Sequence, residues 1–543
     1  MNPLLGMVFA MAVSLAVIPI VWRYAPRLGL LDLPSERKIH KKAVPRVGGW
    51  GIAIGALLPV AILLPLDPLI QSYLLGSLIL FIFGVGDDIR ELNHYVKFLG
   101  QFLAVALVVF YGGLWIERMP FTEVSSAFGI PFTFFAIVGM TNAVNTSDGL
   151  DGLAGGEALL SLIVIAFLAY VAEGNTSIVI AAASVGGILG FLRYNTYPAR
   201  VFMGDGGSQF LGFTLGFLAV LLTQKDHPTL SPAVTLLFLG LPIIDILSAI
   251  VTRISQGKKW YVADKSSHIH HRLLRLGFAQ YGSVIIIYGL HALLVAAAVL
   301  MRYEYDILVV AFYLFVWMVM IVLLALAEKT GWREDHLSPQ DGYMAEAMGL
   351  ASRFPAIKTL PTTLVATLIP VYLGGIGLLA GPASKDMGVI SAVLFAVMVA
   401  ELLFGRGAAS IAVRGGIYIA AVFAVYLTIH TPVDVFPPFW VALETAYFIV
   451  LAVAIALNVR YATDKRFEAT PLDYLLMLGV LTIGFFGQRY LQVQEIGGLV
   501  VRTMILLYGC EVLIERSVRR WNLLSVSSTL ALGIFGVKGL FAF

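Results

Sequence analysis

Runs of about 20 consecutive apolar residues recur along this 543-residue chain, and they constrain its fold more than any other feature. Such a run, wound as a helix, matches the hydrocarbon thickness of a bilayer, and only a helix or a closed barrel satisfies its own backbone there. Runs near 4–24, 48–66, 69–86, 98–114, 128–142, 153–172, 176–194, 208–223, 233–254, 284–301 and 306–328 predict about 11 spans. Further runs near 362–381, 388–405, 415–430, 439–458, 471–487, 496–514 and 523–541 predict about seven more. The expected fold class is therefore all-α, a polytopic transmembrane helical protein. A composition of 59% hydrophobic and 13% charged residues excludes a soluble reading. Leu4 to Trp22 has no small-residue cleavage site behind a short apolar core, so it is expected to be a retained span. The single cysteine, Cys510, rules out intrachain disulfides and reads as a small core residue.

Charge is distributed unevenly between the connecting loops. If successive spans alternate in direction, one set of loops holds Arg27, Arg37, Lys38, Lys41, Lys42, Arg46, Arg90, Lys97, Arg200, Lys258, Lys259, Lys265, Arg272 and Arg275. The other holds little beyond Arg118, Lys225 and Arg302. The positive-inside bias makes the first set cytoplasmic and puts the N-terminus outside. Residues 331–360 turn polar around Glu334, Asp335 and His336 and read as a cytoplasmic connector. The expected organisation is a domain over 1–330, this connector, and a further transmembrane domain over 361–543 that carries no catalytic motif and no internal repeat of the first.

The polar residues are clustered. An Asp at the centre of a lipid-facing helix costs roughly 3 kcal/mol, so Asn142, Asn145, Asp148 and Asp151 need water, a cation or a partner. Gly149, Gly152, Gly155 and Gly156 fit a helix that breaks into a loop where backbone can approach a ligand closely, which puts these acids at the membrane surface. Adjacent Asp87 and Asp88 repel each other at the end of a span and are best kept together by a divalent cation, a basic partner or a shared proton; a helix cap would need only one of them. Asp205 stands among glycines at the start of another span, where a carboxylate can bind Mg2+ and the following N–H groups can meet a phosphate; the plainer reading is an Asp/Gly turn. His268, His270, His271 and Arg272 form a tight group of donors suited to diphosphate oxygens. A zinc site would favour His/Cys spacing that is not seen here. The basic loop Asp32 to Gly49, with Lys38 and His40, can meet phosphate, or can serve only as an orientation signal in contact with anionic lipid. Left unpaired in hydrocarbon, Asp87, Asp88, Asp148, Asp151 and Asp205 would together cost on the order of 15 kcal/mol.

Taken in order, these motifs resemble one family, the polyprenyl-phosphate N-acetylhexosamine-1-phosphate transferases, polytopic phosphoglycosyl transferases of bacterial glycan synthesis. The resemblance spans about residues 1–330 and rests on Asp-x-Pro-x-x-Arg-Lys-x-His at 32–40, Asp87-Asp88, Asn142 through Asp151, Gly204 to Ser208, and His268 to Arg272. The Arg-Lys-x-His loop and the His-Ile-His-His-Arg-Leu form look like the WecA/TagO branch, not the branch that transfers phospho-N-acetylmuramoyl-pentapeptide. The resemblance implies UDP-N-acetylglucosamine or a close UDP-N-acetylhexosamine as donor and undecaprenyl phosphate as acceptor. Products would be polyprenyl-diphosphate-linked sugar and UMP, in the first membrane step of an envelope glycan such as lipopolysaccharide or teichoic acid. It implies Mg2+, or Mn2+ in its place, held by Asn145 and Asp205. His268, His270, His271 and Arg272 would hold the diphosphate, with Lys38, His40 and Asn142 also binding substrate. Lys97 matches a family lysine at the phosphate site, Asp87 and Asp88 would lie nearest the acceptor phosphate, and Asp148 and Asp151 would support the metal or the sugar-nucleotide. Direct attack by the acceptor phosphate is favoured, with Asp88 as a candidate base and a covalent aspartyl intermediate as the alternative. The implied setting is the bacterial inner membrane with the site facing the cytoplasm and membrane lipid as surroundings. No nucleic-acid partner is expected, and a homodimer stays open. The region beyond about 360 departs from the family pattern.

Two other classes fit parts of the pattern. A cation-coupled transporter also carries membrane acids, but near the midplane on broken helices and often in repeated halves. Asp148 and Asp205 in separate midplane cavities would favour it. A noncatalytic assembly factor would tolerate loss of the acidic motifs.

Overall fold

A computed structural model describes residues 3–34, 43–255, 257, 267–333, 355–379, 381–404, 411–431, 439–461, 494–516 and 523–541. Twelve described helices are long and apolar enough to cross a membrane, and thirteen if a pair bent by 80° counts as one span. This is a multi-pass helical membrane protein. The described residues divide into two compact units, the first up to residue 333 and the second from residue 355.

In the first unit, each of the eleven expected apolar runs coincides with a helix: α1 (Pro3–Leu28), α2 (Gly48–Leu63), α3 (Pro68–Arg90), α4 (His94–Ala106, continued by a π-turn over Leu107–Tyr111), α5 (Ser126–Ser147), α6 (Leu153–Val171), α7 (Asn175–Asn195), α8 (Gly204–Leu221), the pair α9 (Thr235–Phe238) and α10 (Gly240–Ser255), α12 (Gln280–Leu300) and α13 (Asp306–Thr330). A short helix, α11 (Ile269–Arg275), precedes α12. The ninth run is the one broken by 80°, with residues 232–238 and 240–254 on either side of Leu239. Two-residue strand pairs join Leu31–Asp32 to Val44–Pro45 and Arg118–Met119 to Thr122–Glu123, small pieces of sheet that an all-helical reading omits.

Helix α8 is the axis of this unit. Its sequence from Phe210 to Leu221 is apolar on every side, as a helix surrounded by other helices requires, and residues 206–221 are all buried. It packs against α2, α3, α5, α6 and α7. The aromatic side chains of Phe213 and Phe217 meet Tyr73 of α3, whose hydroxyl lies 3.1 Å from Thr214 Oγ1. Helices with no hydrophobic drive to associate in lipid use small residues for close approach. Here Ser14 of α1 donates to the carbonyl of Gly187 in α7 at 2.9 Å. A Cβ on Gly84 of α3 would stand 2.5 Å from Gly206 Cα and 2.6 Å from the Asp205 carbonyl oxygen. The two helices therefore touch backbone to backbone at the start of α8.

Helix ends are set by local chemistry. Asp67 caps α3, its Oδ1 accepting from Ile70 N–H at 2.9 Å with Pro68 in the first turn, and α3 stops at Glu91, which is left-handed with φ 47°. Asn93 then caps α4. This places Asp87 and Asp88 in the last turn of α3 and Lys97 in the first turn of α4, facing each other across a tight reversal.

The second unit contains α14 (Pro355–Leu379), α15 (Lys385–Phe404), α16 (Ile411–His430), α17 (Trp440–Tyr461), α18 (Gln494–Arg516) and α19 (Leu523–Phe541). They match six of the seven runs expected there, and the run near 471–487 lies outside the described residues. Ile369, Leu373, Ile417, Ala421, Leu451, Leu506, Cys510 and Phe535 form its buried core. The reading of Cys510 as a core residue holds.

Candidate active site

One end of the first unit gathers the C-terminal ends of α3, α5, α7 and α10, the N-terminal ends of α2, α4, α6 and α8, and the short α11. Both carboxylate oxygens of Asp88 are engaged by the start of α8: Asp205 N–H donates to Oδ1 at 3.0 Å and Gly206 N–H to Oδ2 at 3.2 Å. Asp88 thus caps α8 from a neighbouring helix, where the helix dipole stabilises a negative charge. Of the N–H groups following Asp205 that were expected to meet a phosphate, that of Gly206 is already taken by Asp88. Arg46 Nη1 lies 3.9 Å from Asp88 Oδ1, and the same guanidinium is ion-paired with Asp32.

Lys97 lies between two acids. Its Nζ is 3.0 Å from Asp205 Oδ2 and also ion-paired with Asp87, whose Oδ1 accepts from Leu92 N–H at 2.6 Å. One ammonium therefore serves Asp87 and Asp205, while Asp88, adjacent to Asp87, is held separately by the start of α8 and by Arg46. Asn145 accepts from Ser208 Oγ at 2.7 Å, and the same hydroxyl lies 3.4 Å from the Asp205 carbonyl, which ties Asn145 to the first turn of α8.

The turn between α5 and α6 carries the remaining acids. Asp148 ends α5, half-buried, and burial together with the Asp205 and Asp151 carboxylates pushes its carboxyl up to about 7, against the pull of Arg46. Asp151 Oδ2 accepts from Ala199 N–H at 2.9 Å. Asn195 fixes the turn from α7: its Oδ1 accepts from Gly152 N–H at 2.9 Å while its Nδ2 donates to the Val201 carbonyl at 2.9 Å. Gly152 is left-handed, φ 82°, and Tyr288 donates to its carbonyl at 2.7 Å. Asp148 and Asp205 thus share one neighbourhood at a helix end, so the separate midplane cavities that would favour a transporter are not found.

The histidine group docks onto the same turn. The ring of His270 packs on Gly149 so closely that a Cβ there would strike it. Burial holds His270 down to about 4. His268 Nδ1 lies 2.6 Å from Asp245 Oδ2, and Asp245 Oδ1 accepts from Ile269 N–H at 2.7 Å. Arg272 is buried, with Nε and Nη2 paired to Glu328 of α13 at 2.9 and 2.8 Å, which leaves Nη1 for any further partner. His271 is half-buried beside His270, with ring centroids 4.4 Å apart. Asn142 lies deeper, linked reciprocally to Gln101 of α4 at 2.8 and 3.3 Å, with its second N–H on the Val138 carbonyl. A substrate contact to Asn142 would have to displace Gln101. Lys38 and His40 lie outside the described residues.

Motif reading missed Asp245, Gln101, Asn195 and Glu328. Asp245 was visible as a lone acid in the apolar run Leu241 to Ile250, the kind of residue that calls for a named partner.

Among the described residues no three His, Cys, Asp or Glu side chains converge as a metal-ligand set. Asp87 and Asp205 meet at the Lys97 ammonium, which marks where positive charge is stabilised, and Asn145 is tied through Ser208 Oγ to the main-chain carbonyl of Asp205, so the donors available at this helix end are oxygens. That set fits Mg2+, which takes few protein oxygens and completes its shell with water and phosphate.

The fold is that of a multi-pass helical membrane protein with its acids, Lys97 and the histidine helix gathered at one end of the first unit. The family model for glycosyl transferase family 4 matches residues 70–223. A probable undecaprenyl-phosphate N-acetylglucosaminyl 1-phosphate transferase of Bacillus subtilis (strain 168) is 35% identical over 331 residues, covering 60% of this chain and 91% of that protein. An undecaprenyl-phosphate alpha-N-acetylglucosaminyl 1-phosphate transferase of Escherichia coli O157:H7 is 30% identical over 294 residues, covering 52% of this chain and 79% of the relative. A phospho-N-acetylmuramoyl-pentapeptide-transferase of Wolbachia sp. subsp. Drosophila simulans (strain wRi) is 32% identical over 274 residues, covering 46% and 81%. The chain belongs to glycosyl transferase family 4, within its WecA/TagO-like group.

Proposed function

We propose that this protein transfers a sugar 1-phosphate, GlcNAc-1-phosphate foremost, from a UDP-N-acetylhexosamine to undecaprenyl phosphate at the cytoplasmic membrane face. An acceptor phosphate oxygen attacks the sugar-bearing phosphorus of the donor. The P–O bond to the nucleotide breaks, and UMP leaves. The observation that carries this reading is the convergence of Asp87, Asp88, Lys97, Asp148, Asp205 and the histidine helix at one end of the bundle. The names of the relatives supply the acceptor and the N-acetylglucosaminyl group. The basic loops on the same end favour a cytoplasmic position, where nucleotide sugars are made.

Two phosphorylated substrates repel each other, so the site must supply positive charge and fixed donors. Lys97 supplies an ammonium, held in place by Asp87 and Asp205. Asp88, anchored on α8, keeps Asp205 and Asn145 in register. Those two would hold Mg2+, which when bound supplies charge neutralisation for the phosphates. An ionised phosphate is already a nucleophile, so no activated side chain is required. The histidine helix, packed against the Asp148 turn, is positioned to meet the donor diphosphate. Incubating the purified full-length chain with Mg2+, undecaprenyl phosphate and a panel of UDP-sugars tests the reading. UMP release with a UDP-N-acetylhexosamine is expected, and no UMP from any sugar refutes it.

A further inference from the structure

The histidine helix is only seven residues long, too short to hold itself folded in water, yet it must present its side chains to a fixed point. Two carboxylates from different spans grip it. Glu328 takes Arg272 at its C-terminal end, and Asp245 takes its N-terminal end through both oxygens. Asp245 is 5% exposed and sits on α10, directly beyond the 80° bend. His268 in turn has its other nitrogen, Nε2, 3.5 Å from Arg253 Nη2, and Arg253 Nε donates to Ser267 Oγ at 3.1 Å.

We propose that Asp245 is a positioning residue for the transfer reaction: it fixes His268 as the Nδ1–H tautomer and ties α11 to α10, so that Nε2, on the Arg253 side of the ring, is the nitrogen left for a further partner. The inference rests on the proposed transferase reading. An acid accepting from Ile269 N–H with one oxygen has only the other for His268, and an acceptor there leaves the ring one way to hold its proton. Nε2 is then free to accept from Arg253. With a proton on Nε2, His268 stays bonded to Asp245 through Nδ1 and donates toward a phosphate oxygen. Asp245→Asn disturbs both contacts. The amide can accept from only one of Ile269 N–H and His268 Nδ1–H, and turned the other way its N–H2 forces the ring into the Nε2–H tautomer.

The tautomer is read first, without turnover, from 15N spectra of the histidine-labelled full-length protein, with His268 identified by the signal that His268→Gln removes. Nδ1–H at His268 is expected, and Nε2–H overturns the proposal. In transfer assays Asp245→Asn is expected to lower kcat about 100-fold. In a His268→Gln background the same change should cost less than about threefold more, because a residue acting through His268 has nothing left to position. A loss as large in that background as in the wild type, or wild-type kcat in Asp245→Asn alone, overturns it. If Asp245→Asn does not fold, the tautomer of the unsubstituted protein still decides. Failure of the transferase reading is distinguishable, since the wild type would then release no UMP whatever its histidine spectrum.

Discussion

The two units differ in where their buried acids are left short of cations. In the second, cations and anions close in pairs between helices: Arg502 Nη1 is 2.8 Å from Glu444 Oε2, with Tyr372 donating to Oε1 at 3.4 Å, and Arg414 Nη1 is 3.1 Å from Glu511 Oε1, with Tyr418 donating to its other oxygen. Each ion there has its counterpart on another span. The first unit has such a pair in Arg272 and Glu328, but at its polar end one ammonium is shared by Asp87 and Asp205, Asp88 is held by backbone N–H groups, and Asp148 is pushed toward its protonated form by burial and by neighbouring acids. Closed pairs hold helices in register and ask for nothing further. A cluster in which Asp87, Asp88, Asp148 and Asp205 outnumber Lys97 and Arg46 is balanced only when a ligand adds positive charge, and that is the mark of a site.

The sharpest way to break this contrast is to remove one acid of the cluster. Asp205→Asn is expected to lower UMP release by about 10³-fold or more while thermal unfolding in detergent moves little, and chelation with EDTA should give a comparable loss. Retained transfer in Asp205→Asn would make the cluster structural and favour the assembly-factor class. In the second unit the expected effect is on stability. Glu444→Gln strands Arg502 and should destabilise by about 3–5 kcal/mol, whereas Glu444→Met with Arg502→Met should recover most of it. Transfer per folded molecule is expected within twofold of wild type for both, and a large fall in kcat would show that the second unit takes part in the chemistry.

A smaller effect comes from the backbone contact between α3 and α8. Gly84→Ala should cost about 1–3 kcal/mol of stability, because the new Cβ meets main-chain atoms that cannot turn aside. Transfer should fall with it, since the helix that moves carries Asp87 and Asp88; an unchanged unfolding temperature would contradict the close packing. The smallest effect is on pH dependence. Asp148, raised from 3.8 to about 7, binds its proton more tightly folded than unfolded, so it lowers stability as pH rises between those values. His270, lowered from 6.5 to about 4, does the reverse and lowers stability as pH falls over that interval. In chelated buffer Asp148→Asn should weaken the decline of stability as pH rises, and His270→Gln should weaken the rise toward neutral pH. Identical pH slopes in both variants would dismiss these environments.

The helices were legible because a bilayer imposes their length, and the acids because charge in hydrocarbon demands a reason. Asp87, Asp88, Asp148 and Asp205 do meet, as their clustering at span ends implied. What stayed hidden is partnership over long separations. Nothing beside Asn195 announces that it holds Gly152, nothing beside Glu328 that it grips Arg272, and Gln101 looks like any polar residue in a span until Asn142 is opposite it. The same gap explains the misjudged Gly206 N–H at the start of α8: local pattern shows a free helix start, and only the fold shows that Asp88 reaches it first.

The meeting of Gly84 with Gly206 has a consequence for how the protein sits in different membranes. Where two spans touch through main-chain atoms, their separation has no slack to take up. A thicker, thinner or stiffer lipid environment can then be accommodated by tilting the outer helices, whose side chains can re-sort, while the spacing of the acids at the centre stays the same. Reactivity tuned in this way would travel between lipid compositions with little adjustment.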